Sequence, residues 1–393
     1  MMMVSMLSCF EDSMSRNTGA SSRIYNLAKN LREQGNKVQL IMPGTKDSTE
    51  IIEGLIIHKL SGLTPTSILK FISRLAGAER FTTFFFYDFL FMLKTYKKIL
   101  QSDIIQIEQP WAGLFLVPFV KWLVKKPVII DSHDTYQALR INQVKFIRKL
   151  FEIFSEKVAY KIASAIFVVS KVDMKLLTKS GIRGDKLQIV PNGVDTDAFT
   201  PYPKNDFEVK RYDLNNFFKV IFVGNMEYGP NQEAVRIIEK NIAPEVKKVR
   251  GDVKFLIIGR VPPRFTSDFR NVTFTGIVEN VSEFLAVSDV AIAPLFKGSG
   301  TRLKILEYFS CGLPVVSTNI GVEGLDVKNG ENILIVDNLE EFPEKIIELL
   351  MNRDFSLKMG RAAREIVIKE YDWRNIVERL NKIYHEILSQ QAA

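Results

Sequence analysis

The sequence predicts an α/β protein of two doubly wound domains, each a parallel sheet covered by helices. Three observations carry this. Short β-rich apolar runs alternate with stretches of helical spacing along the whole chain, the pattern of right-handed strand–helix–strand crossovers. A chain of 393 residues is too long for one ordinary domain and suits two. The breakers Pro191-Asn192-Gly193, followed by a polar stretch to Asn216 and a fresh apolar run, mark a junction near the middle. The domains expected are residues 1–190 and 191–370, with 371–393 as a closing segment.

In the first half the apolar runs are Val4–Phe10, Lys37–Met42, Ile104–Ile107, Val128–Ile130 and Ala165–Val169. In the second they are Val220–Val223, Lys254–Ile258, Val272–Thr275, Val290–Ala293, Val315–Ser317 and Ile333–Val336. This predicts five or six strands per domain. Doubly wound sheets bind ligands beyond the carboxyl ends of their strands, so two facing domains form a cleft for two substrates.

With 46% apolar and 25% charged residues, the composition excludes disorder. Two cysteines, Cys9 and Cys311, are too few for a disulfide framework and read as buried thiols. Met1 to Phe10 lacks the basic flank and cleavage site of a signal peptide. No apolar run approaches the ~18 residues of a spanning helix. A cytoplasmic protein is expected, soluble or peripheral on the cytoplasmic face of a membrane.

Residues 1–190 carry 27 Lys and Arg against 16 Asp and Glu, while the remainder is slightly acidic. That asymmetry points to an anionic partner for the first half. Nucleic acid is not expected, because no recognition-helix, finger or RNA-binding signature is present. Within residues 71–98, Phe81, Phe84, Phe85, Phe89 and Met92 follow helical spacing with basic flanks. This reads either as an interfacial helix on an anionic membrane or as a buried helix. Trp111–Val124, ending in Lys125-Lys126, is a second apolar segment of this kind.

The most informative motif is Lys297-Gly-Ser-Gly-Thr-Arg-Leu-Lys-Ile-Leu-Glu307. It follows an apolar run and opens a helix that stops at Gly312. Gly298 and Gly300 allow close backbone approach to a ligand, and the helix start offers free N–H groups to an anion. Arg302 and Lys304 add positive charge where it is otherwise unfavourable by up to ~1 kcal/mol, which a bound diphosphate would explain. Glu307 suits ribose hydroxyls. A glycine turn with a Lys304–Glu307 pair is the alternative. Thr18-Gly19-Ala20-Ser21-Ser22 is either a phosphate loop or a turn with a capping serine. His133, in Asp131-Ser132-His133-Asp134, follows a strand's carboxyl end, where it is a candidate for hydrogen bonding or proton handling, or else structural. Asp195-Thr196-Asp197 reads as a turn and cap, with no metal.

In this order and spacing the motifs resemble glycosyltransferase family 4, retaining enzymes of GT-B architecture. Gly19 through Gly35 resembles the first loop and helix, Val190–Asp195 the domain junction, and Val220–Gly224 the strand opening the donor domain. Phe274–Val278 resembles the loop that cups the base, and Gly300–Pro314 the donor glycine loop and helix. Trp373 resembles the entry to a last helix, 371–393, that packs back on the first domain. The resemblance implies metal-independent, cofactor-free transfer of a sugar from a nucleotide sugar to a glycan or lipid-linked acceptor, in cell-surface polysaccharide or glycolipid synthesis. In that reading the catalytic residues are Arg302 and Lys304, extra positive groups that stabilise the departing diphosphate, and His133, near the sugar and acceptor. Donor contacts would come from Gly19, Gly224, Val278, Ser299, Gly300, Thr301, Leu303 and Glu307. Two positions depart from the family pattern. Ser299 stands where many relatives have a glutamate, and Asn225 with Gly229-Pro230-Asn231 stands where many have an arginine and a lysine. A sugar-nucleotide isomerase, or a non-catalytic homologue acting as partner subunit, are the alternatives.

Overall fold

The computed structural model describes residues 1–8, 19–62, 89–108, 113–133, 146–202, 212, 214, 216–262, 271–298 and 300–392. The chain forms two compact units, Met1–Asn192 with Trp373–Ala393, and Gly193–Asp372. The first unit extends past residue 190 because Arg23 Nη1 donates to Pro191 O at 2.9 Å and Asn192 Oδ1 at 3.1 Å.

The first unit contains β1 (Met3–Ser8), β2 (Lys37–Pro43), β3 (Ser48–Ile52), β4 (Leu55–Leu60), β5 (Ile104–Glu108), β6 (Val128–Ser132), β7 (Ala165–Val168) and β8 (Leu187–Ile189). They form one sheet in the order β3-β4-β2-β1-β5-β6-β7-β8, parallel except for the β3–β4 hairpin. Eight strands replace the five or six expected. The hairpin is an added edge whose turn, Glu53-Gly54, has positive φ at both residues (50° and 76°), the geometry of a two-residue hairpin loop. Its strand β3 is largely exposed, so it lacks the apolar run that marks the buried strands.

The closing helix, Trp373–Ala392, belongs to this unit. Trp373, Ile376, Val377, Leu380 and Tyr384 lie on one helical stripe and enter the first core. Burying a large apolar side chain contributes about 1.5–3 kcal/mol. Asn36 Nδ2 donates to Asn381 Oδ1 at 2.9 Å, fixing this helix beside Gly19–Glu33.

Of the stretch 71–98, residues 71–88 with Phe81, Phe84 and Phe85 lie outside the described residues. The helix Phe89–Ile99 buries Phe91 and Ile99 in the core. Its Lys94 pairs with the exposed Asp47 at the surface, at 2.8 Å. Tyr96 meets Phe119 edge-on, 6.0 Å between centroids. Beyond Phe119, Trp122 and Leu123 are 70% and 56% exposed. No helix among the described residues is long and apolar enough to cross a membrane.

The second unit contains β9 (Phe218–Val223), β10 (Val253–Ile258), β11 (Val272–Gly276), β12 (Val290–Ala293), β13 (Val315–Ser317) and β14 (Leu334–Ile335). Their order is β11-β10-β9-β12-β13-β14, all parallel. The order reverses at β9, where β10 and β12 flank it. That is the switch point at which such sheets bind ligands. Cys311 is buried in this core; Cys9 lies outside the described residues.

Candidate donor and histidine sites

At the carboxyl ends of the second sheet the chain turns through glycines because backbones meet there. A Cβ on Gly259 (φ +129°) would lie 2.0 Å from Gly224 O, and one on Gly224 3.0 Å from Lys304 Nζ. Beyond β12, Gly298 and Gly300 have φ of +121° and +81°, open to glycine alone without strain. Arg302 then caps the helix Leu303–Ser310, which ends in the left-handed Gly312 (φ +68°). Leu313 N donates to Tyr308 O at 3.1 Å, closing that helix end. Tyr308 clamps the helix to the sheet, its hydroxyl accepting from Val223 N at 2.8 Å.

Arg302 folds back so that Nη1 donates to Gly300 O at 2.7 Å. Lys304 Nζ donates to Asn231 Oδ1 at 2.9 Å and lies 4.1 Å from the Phe222 ring centroid, a favourable cation–π distance. Asn231 in turn donates from Nδ2 to Asn225 O at 2.9 Å. Burial, reinforced by the Arg302 charge, lowers the Lys304 ammonium to about 7. Burial raises Glu307 to about 7, against a smaller opposing effect of Lys304. Two groups that change charge near neutrality thus sit within one turn of helix. Lys304 pairs with Asn231 and not with Glu307, which removes the helical ion pair as the reason for this motif. The Thr301 hydroxyl is buried without a partner.

In the first unit His133 is 6% exposed, just past β6. Its Nε2 donates to Glu108 Oε2 at 2.7 Å and lies 3.6 Å from Asp131 Oδ2. Arg23 binds Asp131 with two parallel bonds of 2.9 Å. Burial alone would lower His133 and raise Asp131. The surrounding charges overcome it, holding His133 up to about 9 through Asp131 and Glu108, and Asp131 at about 2 through Arg23 and His133. Burial and the Asp131 charge push Glu108 up. His133 Nδ1 is buried and unpartnered. His133 Nε2 thus donates to Glu108, and the two carboxylates beside it favour its charged form.

Glu108, Asp131 and His133 bring three ligand atoms within 4.8 Å of one another. The Arg23 guanidinium donates to both Asp131 oxygens, so the cluster holds one of the chain's own cations beside its two carboxylates. Asp195 Oδ1 accepts from Asp197 N at 3.0 Å and Ala198 N at 2.9 Å, an N-cap geometry.

Gly224, Gly300, Thr301, Arg302, Leu303, Lys304 and Glu307 therefore gather at one end of the second sheet, and Val278 is buried beyond β11. Ser299 lies outside the described residues. Gly19 and His133 belong to the first unit. Gly19 is the exposed first residue of its helix, whereas Arg23, one turn on, makes the contact with Asp131. Sequence reading missed Arg23, Gln106 and Glu108, and saw Asn231 only as a departure from the family pattern, not as the partner of Lys304. The signal for two of them was there: Ile104-Ile-Gln-Ile-Glu108 sets polar residues on alternate positions of an apolar strand.

A two-unit α/β fold with a glycine loop and basic helix start at the strand ends is the GT-B architecture. Residues 17–198 match the model of Glycosyltransferase Family 4, and residues 218–352 that of Glycosyl transferases group 1. The chain belongs to the family 4, group 1 glycosyltransferases. It is 27% identical over 215 residues to a GDP-mannose-dependent alpha-(1-6)-phosphatidylinositol monomannoside mannosyltransferase of Mycobacterium tuberculosis, covering 49% of this chain and 54% of that one. It is 25% identical over 262 residues to a UDP-Gal:alpha-D-GlcNAc-diphosphoundecaprenol alpha-1,3-galactosyltransferase of Escherichia coli, covering 63% and 65%. The matches thus span about half to two thirds of these relatives' lengths. Among solved structures, Anabaena HepE in complex with UDP and glucose superposes with a TM-score of 0.71 at 15% identity, over 98% of this chain and 99% of that one.

Proposed function

We propose that the protein transfers a sugar, with retention and without a metal, from a nucleotide-sugar donor to a glycan or lipid-linked acceptor. The observation that carries this reading is the convergence of Arg302, Lys304 and the glycine loop at the carboxyl end of the second sheet, with Glu307 about a turn further on. Arg302, and Lys304 when protonated, supply at the departing diphosphate the electrostatic stabilisation that a metal supplies elsewhere. Glu307 binds the ribose. His133, on the first unit, donates to the sugar or acceptor.

Both relatives are named for lipid-borne acceptors and α-linkages, which supports a lipid-linked acceptor, and supports retention if the donor is α-linked. The basic excess of residues 1–190 supports contact with an anionic membrane surface on the cytoplasmic side, through residues 71–98. Exposed Trp122 and Leu123 between Lys121 and Lys125 add an aromatic edge of the kind that favours the lipid interface.

Product stereochemistry by NMR, with chelator present, tests the transfer. An inverted product, or activity abolished by chelator, overturns the assignment. Turnover of the nucleotide sugar without an acceptor would point instead to an isomerase. Donor binding without any turnover would point to a non-catalytic partner subunit. Sedimentation with anionic vesicles, weakened by salt, tests the membrane contact, and equal sedimentation with neutral vesicles counts against it.

A further inference from the structure

A chain of hydrogen bonds connects the closing helix to His133. The Tyr384 hydroxyl donates to Gln106 Oε1. Gln106 Nε2 donates to Glu108 Oε1 at 2.8 Å, and His133 Nε2 donates to Glu108 Oε2 at 2.7 Å. Tyr384, Gln106 and Glu108 are fully buried. Gln106 and Glu108 lie two residues apart on β5, on the same face of the sheet.

We propose that Tyr384, Gln106 and Glu108 are positioning residues through which the closing helix sets the orientation and charge of His133. The inference rests on the proposed role of His133 in transfer. The chemistry of the amide makes the chain directional. A glutamine has one acceptor oxygen and one donor nitrogen, so a donor at Oε1 turns Nε2 toward the other side. Tyr384, a donor here, therefore fixes which end of Gln106 faces Glu108. Without that hydroxyl the amide keeps only the carboxylates as partners and is held less firmly. The hydrogen bond that favours ionised Glu108 weakens, and with it the negative charge holding the imidazolium.

The other groups facing His133 are held mainly by elements other than the closing helix. Asp131, on β6, is held by Arg23 of the first helix. Ser132 bonds to Tyr160 at 2.7 Å, and Tyr160 donates to Glu156 at 2.8 Å, within the helix Phe146–Ile162. Gln106 Nε2 also lies 3.5 Å from Asp131 Oδ2, so the amide senses both carboxylates. His133 Nδ1, buried and unpartnered, is the atom this arrangement leaves for a ligand oxygen.

The chain has three histidines, His58, His133 and His385, so the His133 titration is readable by NMR on histidine-labelled full-length protein. In E108Q the His133 midpoint should fall by about one to three pH units, the effect of removing an adjacent opposite charge. In Y384F it should fall by less, but in the same direction. Should Y384F not fold, Q106M breaks the same chain and should lower the midpoint likewise. Adding Y384F to Q106M should then change nothing further, because the two positions act through one path. In transfer assays Y384F should lower kcat while leaving the KM for the donor unchanged. An unmoved His133 midpoint in folded Y384F or Q106M, or full additivity of the two, overturns the relay. A shifted midpoint in a protein without transferase activity would leave the relay standing and overturn the transfer reading.

Discussion

Glu108 and Asp131 stand directly opposite each other on the parallel strands β5 and β6, both fully buried. Like charges in that relation repel, and burial makes each costly to ionise. The sheet tolerates them because Arg23 arrives from the first helix and His133 from the end of β6. Two anions thus face two cations in a closed set. Since Arg23 also holds Pro191 and Asn192, the last residues of this unit before the junction share the same guanidinium.

Breaking the set from one side should be costly. R23M leaves Asp131 buried with only His133 to offset it, and removing one partner of a buried pair costs about 3–5 kcal/mol. Urea-induced unfolding should show the loss. R23M/D131L should recover part of it, since an apolar pair leaves no charge stranded. Equal stability of R23M and the parent would mean that Asp131 is protonated in the folded state.

The stability of the first unit should also depend on alkaline pH. His133 is raised from 6.5 to about 9, so its contribution is present in full below about 6.5 and is lost as pH rises through about 9. Asp131, lowered from 3.8 to about 2, contributes above 3.8 and is lost as pH falls through about 2. Thermal unfolding between pH 6.5 and 9 should therefore show falling stability in the parent and a flatter profile in H133Q. Identical profiles would remove the imidazolium from the account.

The two sites were legible to different degrees, for physical reasons. The donor-side motif is local: glycines, cations and a carboxylate follow one another within a helix turn or two, so spacing alone reveals them. The histidine cluster is assembled by topology. Arg23 and Asp131 are 108 residues apart, and Tyr384 and Gln106 are 278 apart, and no local pattern brings them together. Asn231 was legible only as a departure from a family pattern; its bond to Lys304 needed the fold. Most strands seen from sequence were buried ones, whose apolar runs are continuous. The edge strand β3 was missed because exposure dilutes that pattern, the buried β4 because His58 and Lys59 interrupt its apolar run, and β8 because it is only three residues long.

Gly259 offers a sharp packing test. A methyl there would meet Gly224 O at 2.0 Å, at a φ of +129°. Backbone in that region costs a non-glycine residue about 1–3 kcal/mol before any clash. G259A should lower the melting temperature of the second unit and weaken nucleotide binding, by shifting the β9 and β10 ends. Near-parent binding and stability would mean that the Gly224–Gly259 contact is slack.

Nucleotide binding should carry opposing pH dependences. Lys304 titrates near 7 in the free protein, and a diphosphate would raise it. Its contribution to binding is therefore full below 7 and declines as pH rises above it. Glu307, also near 7, accepts from ribose as the carboxylate, so its contribution declines as pH falls below 7. Calorimetry in buffers of different ionisation enthalpy should detect proton uptake with nucleoside diphosphate above pH 7, absent in K304M. Uptake retained in K304M would assign it elsewhere.

The separate roles of Arg302 and Glu307 can be resolved on one ligand. Arg302 caps the helix, and Glu307 lies about a turn and a half further on at ~3.6 residues per turn. A cation at a helix start is otherwise unfavourable, so a diphosphate is its natural counterpart. A hydrogen bond to a charged group contributes about 1.5–3 kcal/mol, equivalent to a loss of roughly 10- to 150-fold in affinity when it is removed. R302A should weaken nucleoside diphosphate by that factor and leave the bare nucleoside almost unchanged, because the nucleoside has no phosphate to lose. E307Q should weaken both, and the 2′,3′-dideoxy analogue least. Calorimetric titration of the three ligands against the two variants separates the contacts. Parent-like diphosphate binding by folded R302A would make the glycine loop a structural turn, and the donor would have to bind elsewhere on the chain.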